Sequence, residues 1–171
     1  MYILDPKFKA NKHKYLLQCS ILATAMLFTL LFLDMVTYPA LITSLGATFF
    51  TMFIIPNAYA SAPRRLIGGY AIGILSGIFF YCLVNNSFVI YFLPITYPHH
   101  MILFGTIAVG TAGFIMTLTN MEHPPAVGVA LGLVINDWDW LTLCFLAIAV
   151  LLSSVIKTLF KPIMIDLIDM N

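Results

Sequence analysis

Apolar runs separated by short polar clusters set the rhythm of this chain. The runs cover residues 16–33, 39–55, 66–84, 101–119, 125–135 and 141–156. A helix needs about 20 apolar residues to cross a hydrocarbon core, and every run but the fifth, at 16 to 19 residues, approaches that length. The first holds only Gln18 and small hydroxyls as polar content, and Asp34 ends it. The second opens on Pro39 and stops at Pro56-Asn57. Proline suits a first helical turn, where its missing N–H costs nothing. Ser61 and Pro63 mark the next start. The third run carries Gly69, Gly73 and Gly77 on one helical face, a spacing that allows backbone-to-backbone approach. The fourth carries Gly105, Gly110 and Gly113. The fifth, opening on Pro125, is short: eleven residues of helix rise about 16 Å, half a bilayer core. Segments 85–100 and 136–140 are rich in Tyr, Phe, Pro and Trp and suit the membrane interface.

Composition fixes the class. Of 171 residues, 61% are hydrophobic and 9% charged, against about 25% charged in soluble domains. The expected fold is all-α: a polytopic membrane domain of about six apolar elements, one of them a half-helix, forming one domain over residues 1–171. The net charge of +1 carries no nucleic-acid signal, because the basic residues cluster at the ends of apolar runs. Cys19, Cys82 and Cys144 lie inside apolar runs, which predicts packing as small hydrophobes and no disulfide framework. The start resembles a signal peptide, but its apolar run is too long and no small-residue cleavage site follows it directly. It reads as an uncleaved first span.

Charge also orients the chain. If all six runs cross, the N-terminus, the 58–65 loop, the 120–123 loop and the C-terminus share one side. Lys7, Lys9, Lys12, Lys14, Arg64, Arg65, Lys157 and Lys161 all fall there. The positive-inside rule makes that side cytoplasmic, in a cytoplasmic (inner) membrane with both termini inside. Counting runs two and five as re-entrant would leave Arg64 and Arg65 outside. Six elements are therefore favoured, with the fifth too short to cross alone.

The second and fifth runs both read Pro-Ala-x-x-x-x-Leu-Gly, from Pro39 and from Pro125. Each sits between two other runs, so residues 16–84 and 101–160 form two units of three elements. An odd number of crossings per unit points the halves in opposite directions, as in the inverted repeats of secondary transporters. The match is short, in a chain rich in Ala, Leu and Gly.

The stretch Asn120-Met121-Glu122-His123-Pro124-Pro125 gathers the candidate chemistry. A helix starting at Pro125 leaves first-turn N–H groups without intrahelical partners at the positive end of its dipole. Such donors cannot face lipid. Ala126, Val127 and Gly128 would offer them, and a small anion suits them. His123 would donate a hydrogen bond or carry a proton. Glu122 would hold it in one tautomer or face water. The plainer reading is a solvated loop or helix cap, with Pro124-Pro125 a stop and a start. Arg64 and Arg65 serve as topogenic charges or as anion-drawing ones, with Arg64 the candidate in the anion site. His99, His100, His123 and Glu122 supply metal-ligand types, but the topology separates them and no HExxH or CxxC spacing occurs. No serine has a nucleophile-elbow context. Neither a cofactor nor a catalytic residue is expected.

Two stretches together resemble the HPP family of integral membrane proteins, named for His-Pro-Pro. One is His123-Pro124-Pro125-Ala126 ahead of a small-residue apolar helix. The other runs from Leu45 to Gly73 and matches, in order, at Gly46-Ala47-Thr48, Pro63-Arg64 and Gly68-Gly69. Thr48 stands where that family has serine, and Ala62 where glutamine precedes Pro-Arg. The resemblance spans residues 16–156. It implies a polytopic membrane protein, and some plant and cyanobacterial members are linked to nitrite transport.

The resulting expectation is a transporter or channel for a small, nitrite-like anion, not an enzyme. The anion would meet His123, Pro124, Pro125, Ala126, Val127 and Gly128, with Gly46, Ala47, Thr48 and Arg64 completing the site. Loss of His123 would lower flux without abolishing folding. The alternative is a non-transporting scaffold or sensor subunit associating through Gly69, Gly73 and Gly77. The partners are the lipid bilayer and the anion. Glycine-lined faces on so small a domain suggest a homo-oligomer, without fixing the number of copies.

Overall fold

A computed structural model describes residues 6–32, 39–92 and 99–168. They form α1 (Pro6–Phe32), α2 (Pro39–Ile54), α3 (Pro63–Val84), α4 (Ser87–Phe92), α5 (His99–Thr119), α6 (Pro124–Ile135) and α7 (Trp140–Phe160), with 3-10 turns at Tyr59–Ser61 and Lys161–Ile163. No strand occurs among the described residues. Four helical stretches are long and apolar enough to cross a membrane: Ala10–Leu31, Pro63–Val84, His99–Thr119 and Trp140–Ile163. Their outer faces expose Leu31, Leu75, Phe114, Leu118, Leu152 and Leu159, the surface that lipid covers. The polytopic all-helical fold expected from the runs is the one observed.

Several details differ. α1 begins ten residues before the first apolar run and breaks at Asn11, whose backbone is non-helical. Asp34 lies outside the described residues. The aromatic patch of the 85–100 segment contains the short helix α4, with Phe88, Tyr91 and Phe92 exposed. Cys19, Cys82 and Cys144 are exposed. They face outward rather than filling the core, because the positions where helices meet are taken by glycine and alanine.

The two short helices lie deepest. α6 has 12 residues and no charged or polar side chain, and a helix apolar all round is stable only when covered. α2 covers one side of it. Thr48 meets His123, Ser44 faces Gly128, and Leu41 faces Gly132, so the two helices run antiparallel. α3 covers another side in parallel register through its three glycines. A Cβ on Gly69 would stand 2.7 Å from His123 Cβ, and one on Gly77 2.8 Å from Leu133 Cβ. One on Gly73 would collide with the Ala126 carbonyl oxygen. The face expected to recruit another protein is therefore filled within the chain, since only glycine lets the α3 backbone come this near α6. On α5, Gly105 receives the Leu131 side chain, whereas Gly110 and Gly113 have nothing within 4 Å.

α7 contains no glycine and stands off. Between α1, α2 and α7 lies a cleft of about 430 Å³, lined by Ala25, Thr29, Phe49, Phe145, Ala149, Ser153 and neighbouring apolar side chains. Thr29 and Ser153 donate back to the Ala25 and Ala149 carbonyls of their own helices, so the cleft presents an apolar wall. Below it the C-terminal segment folds across the bundle. Gln18, fully buried, donates to Phe53 O (2.5 Å) and Ile165 O (2.9 Å) and accepts from Ile165 N. Tyr15 Oη donates to Leu167 O, and Leu167 N to Ile54 O.

Candidate functional site

The loop ahead of α6 has a definite construction. α5 ends in a Schellman arrangement: Asn120 adopts a left-handed conformation (φ 57°), Met121 N donates to Met116 O, and Asn120 N to Thr117 O. Asparagine tolerates that backbone better than most residues. The chain turns, and His123 becomes the N-cap of α6 with extended backbone.

That boundary changes the chemistry expected at the helix start. The first helical residue is Pro124, not Pro125. Pro124 and Pro125 have no N–H, and Ala126 N donates to His123 O at 2.9 Å. Of the four N–H groups that a helix start leaves without intrahelical partners, those of Pro124 and Pro125 are absent and that of Ala126 is used, which leaves the N-cap amide of His123. The first turn of α6 offers no free amide to an anion. Ala126 is buried against Gly73, and Gly128 lies against Ser44 Oγ. Pro124 is exposed, while Pro125 and Val127 are half-buried.

His123 is fully buried. Its Nδ1 lies 2.9 Å from Ala60 O and its Nε2 2.9 Å from Thr48 Oγ1, which lies 2.8 Å from Tyr70 Oη. Donor and acceptor roles follow from chemistry. A carbonyl only accepts, so Nδ1 carries the proton and Nε2 of the neutral ring accepts. The Thr48 hydroxyl donates to Nε2 and accepts in turn from Tyr70. Every proton in the chain Tyr70–Thr48–His123–Ala60 has a place. A charged imidazole would donate from Nε2 and leave one hydroxyl proton, that of Thr48 or of Tyr70, without an acceptor in the chain. Burial likewise pushes the His123 pKa down from 6.5 to about 4, partly opposed by the Ala60 hydrogen bond. The tautomer is held by a backbone carbonyl. Glu122, expected in that role, instead faces Arg65 at 3.7 Å.

A pH dependence follows. The folded pKa lies below the unfolded one, so between about 4 and 6.5 the unfolded chain binds a proton that the folded chain refuses. The contribution is complete above pH 6.5 and falls as pH drops toward 4, by on the order of 3 kcal/mol. The melting temperature of the native protein should fall more steeply between pH 7 and 4.5 than that of His123→Asn. Equal slopes would place the titration elsewhere.

Of the other candidates, Thr48 joins His123 directly. Gly46 touches Met26 of α1, and Ala47 is exposed. Arg64 is exposed too. Its neighbour Arg65 does the local work: it donates to Tyr59 O (3.1 Å) and Asn120 Oδ1 (2.9 Å) and lies over the Tyr59 ring. Tyr59 Oη also donates to Asn120 Oδ1. From α7, Lys157 donates to Ser61 O. Sequence reading passed over Tyr70, took Lys157 as a charge closing an apolar run, and read Arg65 together with Arg64 as a topogenic or anion-drawing charge. The available signal for Tyr70 was a phenol in the middle of an apolar glycine run, where a buried hydroxyl needs a partner.

The model of the family described as HPP, transmembrane region, matches residues 9–167. The chain belongs to the HPP transmembrane family. No curated protein and no solved structure matches it. In this HPP-family chain the His-Pro-Pro residues do separate things. The histidine ties the start of α6 to α2, α3 and the 3-10 turn. The prolines start the helix and remove two amides that would otherwise need partners.

Proposed function

We propose that this HPP-family protein moves a small inorganic anion of the nitrite class across a cytoplasmic membrane and performs no enzymatic chemistry. The observation that carries the reading is the pair of short helices. α2 and α6 have 16 and 12 residues, about 24 and 18 Å of rise. They lie antiparallel against each other among four long spans. Short apolar segments at matching places in two halves are the structural pointer to a transport site. Lys157, Arg64, Arg65 and Lys161 gather with the 3-10 turn and the C-terminal segment at one end, which supports an anion as cargo and the cytoplasm as the facing side. With no open amide on α6, the anion's contacts come from side chains at that basic end. Proteoliposomes loaded with nitrite, nitrate, formate or chloride, with and without a pH gradient, test this. Selective, protein-dependent efflux of the small anions is expected. Absence of any anion flux from demonstrably folded protein would end the transport reading.

A further inference from the structure

We infer that the ammonium group of Lys157 holds a small monovalent anion at the basic end of the bundle. The inference rests on the transport reading above and gives it a residue. Lys157 sits in the last turn of α7 and is 3% exposed. An ammonium has three donors. One goes to Ser61 O. No carboxylate lies within ion-pair distance of it among the described residues, where the ion pair is Arg65 with Glu122.

The acceptors nearby are committed elsewhere. Several carbonyls that end α2 already have donors: Thr51 O and Ile55 O share the Ser61 hydroxyl, Phe53 O accepts from Gln18, and Ile54 O from Leu167 N. Asp166 spends Oδ1 on Asn57 N (2.9 Å) and Oδ2 on Asn57 Nδ2 (3.2 Å). Lys161 and Asp166 both act on Lys157 electrostatically, with opposite signs. The negative end of the α7 dipole helps, but its effect is a fraction of a charge. Among the described residues Lys157 is thus a buried cation with one neutral acceptor, an incomplete pair, and buried charges are stable when paired. A monovalent anion completes it with a single charge and two hydrogen bonds. A divalent anion would reverse the imbalance.

The test uses the purified full chain in detergent, unfolded thermally in sodium gluconate and then with sodium nitrite or chloride added. The native protein should show a saturable rise in melting temperature. Lys157→Met should melt higher than native in gluconate, because an unpaired buried charge has been removed, and should gain nothing from added anion. Lys157→Arg should keep the rise. An equal rise in native and Lys157→Met would overturn the proposal. So would a native protein indifferent to anion, or a Lys157→Met protein that melts lower in gluconate, since the Ser61 carbonyl would then be sufficient partner. Vesicle flux separates the two readings. An anion-dependent rise without flux removes transport and keeps the site. Unchanged flux in Lys157→Met keeps transport and removes the site.

Discussion

Gly73→Leu should yield almost no folded protein, whereas Gly110→Leu should be nearly silent. A Cβ at Gly73 meets the Ala126 carbonyl oxygen and carbon, which are main-chain atoms of a helix held on several sides. Flexible side chains yield to an intruder; a packed helix backbone does not. Overpacking of a tight core costs about 1–3 kcal/mol, and here the whole α3–α6 seam would have to open, so the upper end or beyond is expected. Gly110 has nothing within 4 Å, so its side chain would extend outward. Monodisperse yield on size exclusion and the folded fraction in an SDS titration measure both. Equal behaviour of the two variants would mean that α3 does not seat on α6 through this glycine.

His123→Ala is the second large effect. It removes both ring nitrogens from a fully buried network and opens a cavity among α2, α3 and α6. Ala60 O loses its donor and the Thr48 hydroxyl its acceptor. An orphaned buried group costs about 1–3 kcal/mol, and the cavity adds to it; a total of about 2–5 kcal/mol is expected. His123→Asn keeps an N–H for Ala60 O and should recover a substantial part. SDS or urea unfolding of the three proteins gives the ranking native, Asn, Ala. The ranking also bears on transport. If His123 works as a proton carrier, Asn and Ala should be equally dead in pH-driven flux. If it works as a tie, Asn should retain flux in step with its folded fraction.

Much of the fold was legible because membrane burial writes itself into run length. The ends of the runs at Val84 and Thr119, the start at Pro39 and the short element after His123 were all visible. The glycine triplet on α3 was visible as a contact face, but its occupant was not, since periodicity says that a face is close-packed without naming what packs there. At the candidate site a one-residue shift decided the chemistry. With Pro125 first, the first turn has open amides; with Pro124 first, none is left open on its first three residues. Arg64 and Arg65 are indistinguishable in sequence, and only the position of Asn120 and Tyr59 in space selects Arg65. Lys157 looked like a terminal charge closing an apolar run. It became a buried group because α7 continues to Phe160 and the residues after it fold back over α2.

Two neighbouring peptide carbonyls in the turn between α2 and α3 bear on how the protein is made. Ala60 O waits for His123, 63 residues later, and Ser61 O for Lys157, 96 residues later. At about 5–20 residues per second, these partners emerge seconds after the turn itself. Until then both carbonyls need another partner, such as water. Closing of this turn onto the bundle therefore waits on α6 and α7, since α1, α2 and α3 alone leave both carbonyls without these partners.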